Sequence, residues 1–365
     1  MKPRFRALRA DEQSECLQLW TQVFSPGADY FVRYFDDPLW KPDYTRVCEL
    51  EGRLVSTVQI VRRAVRLNGQ RVWMAGIANV ATLPAYRGQG FASRLMHDAH
   101  EVIDSEDFLF GLLFTGIHSF YARLGWEVLT LPLPVSVPQP MPLSEDWHFR
   151  VAAPDDLPRV RRWHERTYAD HPFTVIRDER YWHVWLRWED ENWRRGFYIV
   201  ECVGEPLGYL AIETHYRHAE DGSRQVEAIS LTEMGGEVLE PAFVDAVIGF
   251  VNNMAFLAGA EHIRWFLSLP DAERILRPRV SGLMFVPQRH PMVRVGHRER
   301  LWEAFERLSG TLVPAEIETL SVSQALRLLF GLYGELDLPD MGSLPDTLRK
   351  RFPPRPALFL PADSF

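Results

Sequence analysis

What the chain lacks narrows its function first. Lysine and arginine number 41 against 49 aspartates and glutamates, a formal net charge of −8, so the basic footprint of a general nucleic-acid binder is missing. Such a balance suits a cationic substrate instead, because a negative cleft concentrates amines. Only three cysteines occur, Cys16, Cys48 and Cys202. They lack metal-ligand spacing, and the histidines form no H-x-x-x-H or H-E-x-x-H pair. No metal is therefore expected, and the thiols read as reduced core residues of a cytoplasmic protein. No uninterrupted apolar run reaches membrane-spanning length, and MKPRFRALRADEQSE carries no apolar h-region, so neither a membrane span nor a signal peptide is expected. Low-complexity tracts and convincing sequence repeats are also missing. Of the common nucleotide-binding loops, neither G-x-G-x-x-G with its trailing acid nor a Gly-Lys-Ser/Thr P-loop is present.

What is there begins with the stretch Trp73 to Ala99. An apolar β-like segment, Ile77 to Thr82, passes through Pro84 into Arg87-Gly88-Gln89-Gly90-Phe91-Ala92 and then into a helix. In that helix Leu95, Met96, Ala99, Val102 and Ile103 recur on one face, with Arg94, His97, Asp98 and Glu101 on the other. A strand, a glycine turn and a helix start together point backbone N–H groups outward at the positive end of a helix dipole, which suits a pyrophosphate. Gly88 and Gly90 let the backbone approach the anion closely.

Within this loop Arg87, Gly90 and Ala92 form R-x-x-G-x-A, and 34 positions after Arg87 comes Tyr121 in Phe120-Tyr121-Ala122-Arg123-Leu124-Gly125-Trp126-Glu127. A helix and the apolar strand Phe108 to Phe114 lie between them. The pair of motifs resembles the acetyl-CoA loop and the closing tyrosine helix of the GCN5-related N-acetyltransferases, the GNAT superfamily. The resemblance implies an α+β fold, a mixed α/β sheet flanked by helices, and acetyl-CoA as co-substrate.

Chain order agrees. Phe5 to Leu8 reads as a strand, a helix follows from about Asp11, and Phe31, Tyr34, Phe35, Leu39 and Trp40 mark an aromatic-rich second helix. Two hairpins follow, one around Glu51-Gly52-Arg53 and one around the preferred turn pair Asn68-Gly69. The order is β-α-α-β-β-β-α-β-α-β. The proline-rich Leu131 to Leu143 breaks the pattern and places a boundary at about residue 145. From 146 to 287 the order of elements echoes the first domain without its loop. The nearest substitute, Glu233-Met234-Gly235-Gly236-Glu237, carries two carboxylates that would repel a pyrophosphate. This segment reads as a degenerate GNAT-like domain that binds no cofactor. In it Trp182, Trp185 and Trp188 recur every three residues, as a buried helix face does and as an aromatic cage for a cation also could.

The third region, 288 to 365, reads as a small α+β segment. Tandem GNAT-like domains followed by such a segment resemble the Eis-type (enhanced intracellular survival) acetyltransferases. Those carry a sterol-carrier-like third domain, which in this chain reads as truncated.

The resemblance implies roles. Tyr121 is expected to protonate the departing CoA thiolate. The C-terminal carboxylate of Phe365 is expected to enter the active site as general base, at the end of a stiff, apolar, proline-rich tail. An acceptor amine has an unperturbed pKa of roughly 10, so a base or a depressed pKa is required. Arg87, Gly88, Gln89, Gly90, Phe91 and Ala92 are expected to hold the pyrophosphate, and Val80, with Ala81 and Thr82, to set backbone groups against the acetyl carbonyl and pantetheine. Ser119 is expected at the cofactor or as the cap of the Tyr121 helix. The expected partner is a primary amine of a small molecule or peptide, with direct acetyl transfer and a homo-oligomeric enzyme. Two further readings stay open: a transferase for another acyl-CoA, and a non-catalytic CoA-binding regulator.

Overall fold

The computed structural model describes residues 2–218, 222–310, 315–318, 320–331 and 359–363 of the chain. Contacts divide the described residues into two units, those within 2–130 and 289–329 and those within 131–288 and 330–363.

The first unit begins with strand β1 (Arg4–Ala7), helices α1 (Gln13–Val23) and α2 (Ala28–Asp36), and strands β2 (Thr45–Leu50), β3 (Arg53–Leu67) and β4 (Gln70–Thr82). Helix α3 (Phe91–Ser105), β5 (Phe108–Phe114), α4 (His118–Ala122) and β6 (Glu127–Val128) follow. This is the order expected from the sequence. Both hairpin turns run through positive φ, at Glu51 and Gly52 and at Asn68 and Gly69, the twist that two-residue turns match best. Helix α3 lays Leu95, Met96, Ala99 and Ile103 into the core. Asp98, expected on the polar face, is buried as well and is held by Arg94 one turn earlier at 3.1 Å.

The second unit continues with β7 (Leu131–Ser136), β8 (Trp147–Val151), α5 (Leu157–Tyr168), a single wide turn at Tyr181–Trp185, α6 (Glu191–Arg194), β9 (Phe197–Cys202), β10 (Glu205–His218) and β11 (Arg224–Gly236). It ends with α7 (Pro241–Leu257), β12 (His262–Trp265), α8 (Leu269–Ile275) and β13 (Met284–Gln288). Trp182, Trp185 and Trp188 are all buried, so they are core and not a cage. The chain then supplies β14 (Pro291–Arg294), α9 (Arg298–Ser309), α10 (Ala315–Glu318) and α11 (Val322–Leu329).

Two seven-stranded sheets result, β1-β2-β3-β4-β5-β14-β6 and β13-β7-β12-β11-β10-β9-β8. Read from β1 and from β8, they have the same plan: four antiparallel strands, a parallel step (β4 to β5, β11 to β12), then two antiparallel strands. In each, the sixth strand comes from the segment that directly follows the other sheet's last strand. This exchange moves the boundaries expected from sequence. Leu131–Ser136, the start of the proline-rich stretch that marked a boundary at about residue 145, is a strand of the second sheet. Its prolines, Pro132 and Pro134, share one parity, so their missing donors fall on one side and the alternate residues keep a ladder.

The region after residue 288 is likewise no separate sheet among the described residues. β14 fills the gap between β5 and β6, Arg294 chelates Asp104 at 2.9 and 2.7 Å, and Arg300 donates to the carbonyl oxygens of Asp104, Glu106 and Phe108 just past α3. Residues 289–329 thus complete the first unit.

Candidate active site

The site starts from a split in the first sheet. Parallel pairing of β4 with β5 runs from Trp73–Phe108 to Gly76–Leu112 and stops, although β4 continues to Thr82. Beyond Gly76 the β5 side of β4 is therefore open, and backbone groups there are free to pair with an extended ligand. On its other side β4 carries a bulge. Thr57 pairs with Ala81 and Gln59 with Ala78, so Asn79 and Val80 face one residue of β3. Asn79 takes φ +49°, a conformation asparagine tolerates better than most residues. Three buried side chains hold it there. Trp20 Nε1 donates to Thr57 Oγ1 at 2.9 Å, Thr57 Oγ1 donates to the Asn79 carbonyl at 2.9 Å, and Asn79 Nδ2 donates to Gln59 Oε1 at 2.7 Å. None of these was singled out from sequence. An asparagine inside an apolar strand run was the available signal.

Ala81 and Thr82 are tied to β3, since Ser56 Oγ lies 2.8 Å from both the Ala81 carbonyl and Thr82 Oγ1. Val80 is half-buried against the same core cluster as Tyr121. Below the split, Arg87, Gly88, Gln89 and Gly90 are exposed. Gly88 and Gly90 take φ +78° and +80° with open space where a Cβ would be, so the glycines serve conformation and leave the cradle open. Gly90 caps α3 without a side-chain bond, and the first amide of the helix to pair with its carbonyl is Arg94. The N–H groups of Phe91, Ala92 and Ser93 thus have no partner within the helix. That donor set fits an anion. Arg87 turns back onto the strand, its Nε 3.2 Å from the Thr82 carbonyl, and so braces the loop in this state.

Tyr121 lies on α4, the short helix after β5. Its ring meets Phe120 edge-on at 4.9 Å, and burial pushes its hydroxyl up to about 12. Among the described residues no group hydrogen-bonds that hydroxyl. Gly125 then turns the chain at φ +83° and Trp126 enters the core, its Nε1 donating to His100 Nε2 at 3.0 Å. Burial depresses His100 to about 3, which keeps it a neutral acceptor. Ser119 does not cap α4. The helix starts at His118, with Ile117 at the cap position and no side-chain cap bond, and Ser119 is exposed at the second helical position. His118 Nε2 instead donates to the Arg289 carbonyl at 2.8 Å. Phe365 lies outside the described residues.

The tail before it is described at 359–363. Leu360 packs on Tyr168, and Asp363 Oδ1 accepts from Arg177 Nε at 2.8 Å and from Tyr181 at 2.9 Å. Arg177 is fully buried and also binds Glu233 at 3.0 Å. No group of acids, histidines and cysteines arranged to hold a metal occurs among the described residues, and none of their helices is long and apolar enough to cross a membrane.

Residues 4–129 match the family model described as an acetyltransferase (GNAT) domain. No curated protein matches the sequence significantly. Among solved structures, a GCN5-related N-acetyltransferase from Anabaena variabilis superposes with a TM-score of 0.61 at 18% identity, covering 83% of this chain and 75% of that one. A protein of Enterococcus faecalis described as a probable N-acyltransferase gives 0.60 at 18% identity, with 83% and 75% covered. Eis1 from Mycobacterium abscessus gives 0.54 at 14% identity, with 83% and 76% covered. These likenesses concern the fold. The open edge of β4, the glycine loop at the start of α3 and the tyrosine helix after β5 all lie within residues 4–129, the part of the chain that matches the GNAT acetyltransferase domain model.

Proposed function

We propose that the protein transfers an acetyl group from acetyl-CoA to a primary amine of a small molecule or peptide, directly and without an acyl-enzyme. The observation that carries this reading is Tyr121, a desolvated hydroxyl without a partner among the described residues, on the helix that follows β5 where the sheet has opened. Phe91, Ala92 and the loop from Arg87 to Gly90 would hold the pyrophosphate, and the free edge of β4 around Val80 the pantetheine and acetyl carbonyl.

In this reading the neutral amine attacks the thioester carbon and the C–S bond breaks. The sulfur leaves with its electron pair and takes a proton from Tyr121, and the proton that the attacking nitrogen sheds as the amide forms restores the tyrosine. Burial keeps the tyrosine protonated at neutral pH, and it raises the basicity of the departing thiolate in the same surroundings. The surplus proton of the acceptor ammonium goes to a base, for which the Phe365 carboxylate is our candidate. Ser119, exposed beside the helix start, is placed at the cofactor. We place the enzyme in the cytoplasm as a homo-oligomer.

The test is thiol release from acetyl-CoA against polyamines, aminoglycosides and lysine peptides, with wild type beside a chain ending at Ser364. Turnover by wild type and a loss of kcat in the shortened chain, at unchanged CoA binding, support the reading. CoA binding without acetylation of any amine would favour a binding role, turnover only with longer acyl-CoAs another transferase, and an unchanged rate in the shortened chain a different base.

A further inference from the structure

The second sheet opens as the first does. Parallel pairing of β11 with β12 runs from Ala228–His262 to Leu231–Trp265, while β11 continues to Gly236. A bulge lies at the start of the opening, because Ile212 pairs with Leu231 and Ala211 with Glu233. A cavity of about 340 Å³ lies at this opening, between the end of β11, the loop after it and α8.

An acyl-CoA does not suit it. The Tyr168 hydroxyl donates to the Met234 carbonyl at 3.0 Å and accepts the Met234 N–H at 3.1 Å, taking up backbone groups that a pantetheine arm would need. The loop that should cradle a pyrophosphate presents Glu237 instead.

What remains is an apolar lining, Met234, Leu239, Leu267 and Ile275, beside two arginines, Arg166 and Arg274. Every carboxylate oxygen of the lining already accepts a hydrogen bond. Asp271 accepts from Arg274 at 2.8 Å on one oxygen, and from Ser268 at 2.6 Å and His171 at 3.0 Å on the other. Glu237 accepts from Arg166 at 2.9 Å and from Trp163 Nε1 at 3.2 Å, one on each oxygen. Each guanidinium has five N–H donors and no acceptor, and each gives one to these acids. Most of the unused hydrogen-bonding capacity of the cavity's charged side chains is therefore that of cationic donors, eight N–H groups against the few lone pairs left on the two carboxylates.

We propose that this cleft binds a small amphipathic anion, a monocarboxylate with an apolar body, its head on Arg166 and Arg274 and its chain against Met234, Leu239, Leu267 and Ile275. A cavity of this volume is at the lower end for small-molecule sites, which suits a single short chain. The proposal does not depend on the transferase reading.

Titration calorimetry of the full chain with octanoate, octanol and octylamine tests it, in wild type and in the double variant Arg166→Gln/Arg274→Gln, each with and without saturating CoA. Both arginines are more than half exposed, so the variant should fold. Octanoate should bind wild type, octylamine should not, and the double variant should weaken octanoate at least about tenfold, as loss of charge-assisted bonds requires. CoA should leave octanoate binding unchanged. Absence of binding, equal binding of octylamine or an unaffected double variant would overturn the proposal. Displacement by CoA would overturn it too, because it would put the carboxylate in the first unit.

Discussion

Replacing Asn79 tests whether the bulge beside the open strand edge is held by backbone conformation, by hydrogen bonding or by both. Valine at φ +49° is a β-branched residue in the left-handed region, a strain of roughly 1–3 kcal/mol. It also removes the 2.7 Å donor to Gln59 Oε1, and leaving a buried acceptor unpaired costs about 1–3 kcal/mol more. Asn79→Val should thus destabilise the first unit by about 2–6 kcal/mol. Glycine adopts positive φ without strain, so Asn79→Gly should lose only the hydrogen-bond part, about 1–3 kcal/mol. Urea unfolding of wild type and the two variants, read by tryptophan fluorescence, gives both numbers. Thr57→Val should approach the glycine value, because it orphans the buried Trp20 indole N–H. Equal stability of the valine and glycine variants would refute the conformational half of the argument, and a glycine variant equal to wild type the hydrogen-bonding half.

Other perturbations follow from the same structure. Arg177→Leu leaves Glu233 and Asp363 buried without their cation, which should cost about 3–5 kcal/mol and expose the tail around Leu360 to limited proteolysis; a variant as stable and as resistant as wild type would contradict this. His100 is neutral in the folded protein down to about pH 3 but titrates near its ordinary value when unfolded. Between those values the unfolded chain binds the extra proton, so stability should rise with pH by up to about 1.4 kcal/mol per unit. His100→Gln, which keeps an acceptor for Trp126, should flatten that part of the curve in denaturation at a series of pH values. Two glycines should respond oppositely to alanine. At Gly111 a Cβ meets Trp126 Cη2 at 2.7 Å, an overpacking of about 1–3 kcal/mol seen as a lower melting temperature. At Gly90 it meets open space, so the effect should appear mainly as weaker CoA binding in calorimetry, with only the conformational penalty of about 1–2 kcal/mol in stability.

Much of the first unit was legible because its signals are local. Asn68-Gly69 marks a turn whatever surrounds it, and the periodicity from Leu95 to Ile103 reports a buried face within one helix. The glycine loop was readable for the same reason, since positive φ at Gly88 and Gly90 is a property of those residues. Strand partnership is not local. Pro-Met-Val-Arg at 291–294 and Leu-Pro-Leu-Pro-Val-Ser at 131–136 carry nothing that says which sheet takes them, so their exchange, and the boundaries that depend on it, were out of reach. Burial of Asp98 and of Arg177 was hidden for a related reason, because a charged residue reads as exposed until its partner is known. Ser119 looked like a cap by composition, but α4 begins one residue before it. For Asn79 the strand pattern concealed the bulge, which depends on an unequal residue count against β3.

The central claim rests on Tyr121, and its most direct test is the rate of acetyl transfer by Tyr121→Phe beside acetyl-CoA affinity measured by calorimetry on the same protein. Phenylalanine keeps the ring against Phe120 and removes only the hydroxyl. The account predicts a loss of kcat of about 10²-fold or more, as removal of a general acid gives, with acetyl-CoA affinity within a few-fold of wild type. An unchanged kcat would contradict it, and so would a loss of rate explained wholly by lost cofactor binding.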